Sequence, residues 1–187
     1  MFVILGLLVV VVILFGVPLW MMVVYNQLVT LRNLVETAWA QVDVQLRRRH
    51  DLIPNVVETV KGYATHERET FEKVIQARNA ARDATNPQAK AEAENALTGA
   101  IKSVFAVAEA YPELKANQNF LSLQGELTTT EGFIAQCRSE YNDSVLTYNN
   151  TLQVFPANTV AGLFKFQHRE YFGVPEGGQR EPVKVQF

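Results

Sequence analysis

The pair His66-Glu67 opens like HExxH, in which two imidazoles one helical turn apart hold zinc and the glutamate activates water. Thr70 stands where the second imidazole is required, so the pattern lacks a ligand. His50-Asp51 is another possible start for a metal cluster, but the remaining histidines are only His66 and His168. Cys137 is the single cysteine, which excludes an intramolecular disulfide and a CxxC centre. It falls on an apolar stripe and reads as a buried thiol, not a nucleophile. Gly177-Gly178 lacks the flanking pattern of a phosphate loop, and there is no GxSxG elbow. The carboxylates are spread over helical faces, and no acid–base pair stands out among them. The expectation is a chain with no catalytic residues, no metal and no cofactor.

The arginines are more informative. In Arg47-Arg48-Arg49 three side chains fan over about 200°, too wide for one basic face. Arg49 instead falls on an apolar stripe, as does Arg78. A guanidinium taken out of water needs carboxylates or carbonyls around it, because unpaired burial costs several kcal/mol. The spacing therefore predicts a polar layer inside a helical core. In it Arg49 and Arg78 would meet acids and amides of the last long helix, Glu126 or Glu131 among them. Such a layer fixes register or, on another reading, holds a ligand.

Four helices must carry these residues. From Leu28 the series Leu31, Val35, Ala38, Val42, Leu52, Val56, Val60 and Tyr63 keeps steps of three and four, with Gln45 and Arg49 filling the two gaps. That period marks a long packed helix or coiled-coil seam. Pro54 is expected to kink or restart it, and Gly62 to end it. A second helix over 66–84, with Thr65 as N-cap, turns Phe71, Val74, Ile75, Arg78 and Ala81 to one side. Thr85-Asn86-Pro87 is a turn signal. A third helix over 88–111 has Leu97, Ile101, Val104, Phe105 and Ala108 inward, and Pro112 ends it. The fourth, over 118–154, repeats Phe120, Leu123, Leu127, Ile134, Cys137, Tyr141, Val145, Tyr148 and Leu152. At the helical rise these are roughly 57, 28, 36 and 55 Å long. Alternating their directions returns the chain close to its start. The expected fold is all-α: an N-terminal transmembrane helix, then an elongated up-down-up-down four-helix bundle with two long helices and a shorter hairpin.

Residues 1–24 carry no charged or polar side chain, and all Lys, Arg, Asp and Glu residues fall in 25–187. As a helix that run is about 36 Å long, enough to cross a hydrocarbon core of roughly 30 Å. It lacks the basic start and small-residue cleavage site of a signal peptide, so it reads as a retained anchor. Trp20 and Tyr25 sit where aromatic residues mark the membrane interface. Arg32 follows the segment and no basic residue precedes it, which favours an outside N-terminus and a cytoplasmic bundle. A net charge of −2 argues against nucleic acid as the main partner. The division expected is 1–24 anchor, 25–154 bundle, and 155–187 a partly ordered tail near the membrane surface. In that tail Phe164, Phe166, Tyr171, Phe172 and Phe187, interspersed with basic residues, would pack on the bundle or touch lipid or a partner. Val183, Val185 and Phe187 alternate as an added strand would.

Blocks of several residues agree in order with a known pattern. Tyr25-Asn26-Gln27-Leu28-Val29, Trp39-Ala40-Gln41-Val42-Asp43-Val44-Gln45-Leu46 and Arg48-Arg49-His50-Asp51-Leu52-Ile53-Pro54-Asn55 come first. Val60-Lys61-Gly62-Tyr63, Ala77-Arg78-Asn79 and the run from Ala110-Tyr111-Pro112 to Asn117 follow. Tyr141-Asn142, Tyr148-Asn149 and Phe155-Pro156-Ala157-Asn158 complete the series. Over about 25–172 the chain resembles the bacterial LemA family. The resemblance implies a single-pass membrane protein with a helical bundle, an outside N-terminus, no established enzymatic activity, and an association with membrane-organised assemblies. Its recurring blocks include Arg49, Asn55, Arg78, Tyr111, Asn117, Tyr141 and Asn142, without assigned roles. Residues 173–187 lie outside that pattern. The function expected is a non-catalytic membrane scaffold whose partners are the lipid bilayer and copies of itself or other membrane proteins. The alternatives are a ligand-binding receptor or enzyme using the polar layer, and a membrane-remodelling protein.

Overall fold

The computed structural model describes residues 12–173 together with Phe2, Ile4 and Gly6. Gly177-Gly178, Val183, Val185 and Phe187 therefore lie outside the described residues. The chain is all-α, and among the described residues there is no strand. A π-helical turn, Val12–Gly16, leads into α1 (Val17–Lys61). After it come α2 (Arg68–Asp83), α3 (Pro87–Glu109), α4 (Pro112–Lys115), α5 (Gln118–Gln153) and α6 (Ala157–Leu163). The two short helices α4 and α6 were not expected, since four to seven residues are too few to show a helical period.

The chain forms two compact units. The first comprises Met1–Ala38 and Asp143–Arg169, the second Trp39–Asn142 and Glu170–Phe187, so α1 and α5 contribute to both. In the second unit α2 and α3 form a hairpin. Its core joins Leu52, Ile53, Val56, Val57 and Val60 of α1 to Phe71 and Val74 of α2, Leu97, Ile101 and Val104 of α3, Leu114 of α4, and Phe120 and Leu127 of α5. In the first unit Leu28, Val35, Val145, Tyr148, Leu152 and Val160 are buried. The stripes of three-and-four spacing thus face inward, buried or, as at Leu31, Ile75, Phe105, Leu123 and Cys137, half-buried, with one exception. Tyr63 is exposed, its hydroxyl accepting from Asn117 Nδ2 at 2.9 Å.

Local chemistry sets the ends. Asn86 is the N-cap of α3, its Oδ1 accepting from Ala89 N at 2.7 Å, with Pro87 in the first turn where no N–H is needed. Asn117 does the same for α5, accepting from the N–H groups of Asn119 and Phe120. Thr65 does not cap α2. The residues after Gly62 make a turn that buries Ala64, and the helix begins later, behind Glu67, with no side-chain cap bond.

Pro54 neither ends nor restarts the first helix, for α1 continues through it. A proline nitrogen donates nothing, so the carbonyl four residues back, that of His50, loses its helical partner. Arg78 of α2 supplies one: its Nε donates to the His50 carbonyl oxygen at 2.6 Å. One helix of the hairpin thereby repairs the defect in its neighbour.

Among the described residues one helical stretch, Leu14–Lys61, is long and apolar enough to cross a membrane. Leu14, Phe15, Leu19, Met22 and Val23 are all exposed along its first part.

Candidate functional site

Arg49 is 2% exposed and is the largest fully buried side chain among the described residues. Its Nη1 donates to Glu94 Oε2 at 2.9 Å, and its Nη2 to Thr98 Oγ1 at 2.6 Å and Glu131 Oε1 at 2.9 Å. The next residue, His50, is also buried, and its Nε2 donates to the other Glu94 oxygen at 2.7 Å. Consecutive helical residues diverge by about 100°, so one carboxylate reaches both only from a helix packed across the α1 surface. That helix is α3.

A second ionic rung lies one turn earlier on α3. Lys90 Nζ meets Asp43 Oδ1 at 3.0 Å, and Arg47 Nη2 meets Asp43 Oδ2 at 2.6 Å. Burial opposes ionisation of Asp43, but Lys90 and Arg47 outweigh it and hold its carboxyl below the ordinary value. Lys90, Glu94 and Thr98 thus present one polar edge of α3 to α1.

Of the residues the sequence singles out, Arg49 and Glu131 are brought together. Glu131 comes from α5 and its side chain is 40% exposed. Glu126 is exposed and stands apart. Arg78 is half-buried and bonds to the His50 carbonyl, not to an acid of α5. Glu94, His50, Thr98 and Lys90 were not singled out, although a signal for two of them existed. Stepping back from Leu97 by three and then four residues gives Glu94 and Lys90, so the apolar stripe of α3 runs into two charged residues, as that of α1 runs into Arg49.

The layer is suited to holding helices together more than to turning over a substrate. Both oxygens of Glu94 accept hydrogen bonds from α1, one from Arg49 and one from His50, which ties this carboxylate into the contact between α1 and α3. Burial, with Glu140 nearby, pushes the half-buried Cys137 thiol up, which makes it a poorer nucleophile. Among the described residues two buried side-chain atoms have no hydrogen-bond partner, Gln45 Oε1 and Arg49 Nε.

The other residues singled out in the sequence lie on α1 and in the tail. Trp20 and Tyr25 lie on α1, 37% and 36% exposed. In the first unit Tyr25 stacks with Phe164 and Phe166 at ring separations of 4.8 and 5.7 Å. Asn149 there grips the backbone of Arg169 twice: its Oδ1 accepts the N–H and its Nδ2 donates to the carbonyl, both at 2.9 Å. In the second unit Asn142 grips Phe172 in the same way, at 2.9 and 3.2 Å. Tyr141 donates to the Glu170 carbonyl at 2.8 Å. Phe172 is buried against Trp39 and the Arg138 guanidinium, and Tyr171 is half-buried. Tyr141, Asn142 and Asn149 of α5 are therefore fasteners for the tail.

The chain is 27% identical over 140 residues to Protein LemA of Metamycoplasma hominis, covering 73% of this chain and 63% of that relative's length. It is 23% identical to Magnetosome protein MamQ 2 of Paramagnetospirillum magneticum, covering 87% of this chain and 70% of the relative. A MamQ protein of Magnetospirillum gryphiswaldense matches at 22% with the same coverage. The sequence pattern of the LemA family matches residues 38–187, which hold the charge layer and both asparagine fasteners; it therefore includes 173–187, contrary to the expectation that the resemblance stops at 172. The chain belongs to the LemA family.

Proposed function

We propose that the protein is a membrane-anchored, non-catalytic scaffold that self-associates in a bacterial inner membrane. Residues 1–24 are the anchor, 25–154 the bundle, and 155–187 a tail close to the bilayer surface. The orientation favoured by Arg32 puts the bundle in the cytoplasm. One observation carries this reading: the helix Leu14–Lys61 exposes an apolar segment and further along carries the buried Arg49. Anchoring confines copies to two dimensions and raises their effective concentration, so weak lateral contacts suffice. The relatives named as magnetosome proteins support a place in a membrane-associated assembly. Chemical crosslinking of the full chain in intact membranes tests it. Bands at multiples of the monomer, or of the monomer with a membrane partner, are expected. A strictly monomeric, partner-free chain overturns it.

A second reading, a small-ligand receptor built on the polar layer, is favoured by the unpartnered Gln45 Oε1 and Arg49 Nε. It requires a small polar molecule that raises the unfolding temperature of the full chain but not of the Gln45→Leu variant. If no such molecule emerges from a screen of small amides and carboxylic acids, this reading fails.

A further inference from the structure

A concavity of about 290 Å³ lies in the first unit, lined by Tyr25 and Arg32 of α1, Tyr148 of α5, and Lys165, His168 and Arg169 after α6. No carboxylate lines it. Arg169 is paired with Glu36 at 2.8 Å, whereas Arg32 and Lys165 have no acid partner among the described residues. The Arg32 guanidinium is held over the Phe166 ring, 5.7 Å from its centre. Two unpaired cations in an aromatic-walled hollow are what a phosphate needs.

The backbone shows that Lys165 is placed there against local preference. The chain leaves α6 with Phe166 N bonding to Ala161 O and Lys165 N to Gly162 O, and Lys165 adopts φ 56°. This is a Schellman ending, whose left-handed residue is ordinarily glycine because a side chain is strained there. Such strain gathers at binding and switch positions. Glycine at 165 would serve the fold better, so the ammonium is there for something else.

What brings phosphate to this hollow follows from its place in the chain. Tyr25 directly follows the apolar run 1–24, and Met22 and Val23, the turn before it, are each 60% exposed. Phe164, also at its rim, is half exposed. We infer that this hollow binds the headgroup phosphate of an anionic membrane lipid, Arg32 and Lys165 contacting the phosphate oxygens. The inference rests on residues 1–24 being a membrane anchor. It adds a chemical preference to that anchor: the protein selects the lipid beside it.

The test uses the full chain in phosphatidylcholine bilayers with trace spin-labelled lipid, comparing the association of phosphatidylglycerol with that of phosphatidylcholine. The wild-type chain is expected to prefer phosphatidylglycerol, and Arg32→Gln to lose about fivefold of that preference, from roughly 1 kcal/mol per interfacial cation. Lys165→Gly should lose a similar factor while its unfolding temperature rises, a pairing that damage to the fold does not produce. Equal preference in the wild-type chain and both variants overturns the inference. So does collapse of the preference under inorganic phosphate but not under chloride of equal ionic strength, which makes the occupant a free anion. A chain that enters bilayers without any preference refutes the lipid site alone. A chain extracted from membranes by alkaline carbonate refutes the anchor and the site together.

Discussion

Arg49 exchanges its hydration for Glu94, Thr98 and Glu131, and the exchange holds only while those partners stay in place. Arg49→Met should therefore cost about 3–5 kcal/mol in urea unfolding of the detergent-solubilised chain, because it leaves the buried Glu94 without its guanidinium partner and with the His50 bond alone. Replacing both members, Arg49→Met with Glu94→Leu, should recover a good part of that loss; additive losses would contradict the pairing. Asp43 gives a pH signature. Its carboxyl is held below the ordinary 3.8, so its contribution is fully present above that value and is lost as pH falls through the lower, folded value. Asp43→Asn should lower stability at neutral pH and flatten the acid limb of the stability–pH curve below 3.8. A variant whose curve keeps the wild-type shape would disprove the assignment. Arg49 was legible as a buried cation from its stripe position. Its main partner was not, because reading apolar residues alone stops the α3 stripe at Leu97 and misses Glu94.

Between elements, the bond from Arg78 to the His50 carbonyl explains how α1 passes Pro54 unbroken. Pro54→Ala restores the missing N–H, after which Arg78→Lys should cost less than it does in the wild-type chain. A double-mutant cycle should show coupling of about 0.5–3 kcal/mol, and additivity would mean that the carbonyl does not depend on Arg78. Local rules predicted an interruption at Pro54. The remedy sits 28 residues along from His50, where no local pattern points to it. The tail shows the same limit. Asn142 and Asn149 carried no readable role because each holds the main chain of a residue 30 or 20 positions away. Backbone partners leave no trace in side-chain type. Asn149→Ala should release the Arg169 amide, and Asn142→Ala the Phe172 amide, to faster hydrogen exchange, with each variant losing about 1–3 kcal/mol. Unchanged protection would mean that the asparagines do not secure the segment. The helices were legible because their stripes are long; α4 and α6 were too short to show one.

At the scale of the molecule, the charge distribution separates an apolar start from a polar remainder: residues 1–24 are uncharged, and every Lys, Arg, Asp and Glu comes after them. A helix that exposes Leu14, Phe15, Leu19, Met22 and Val23 has a face suited to hydrocarbon. Further on, the charges of the buried Arg49 and the half-buried Asp43 are matched within the chain: Arg49 by Glu94 and Glu131, Asp43 by Lys90 and Arg47. The α1–α3 seam is thus held by mutual pairing, which supports the proposed role of a self-associating membrane scaffold. Counting copies tests that claim most directly. The full chain, labelled once per copy and held at low density in its native membrane, is followed by single-molecule photobleaching. The account predicts spots that bleach in several steps, at a density where a monomeric membrane protein bleaches in one. Uniform single-step bleaching, with no second membrane protein moving alongside, would contradict it.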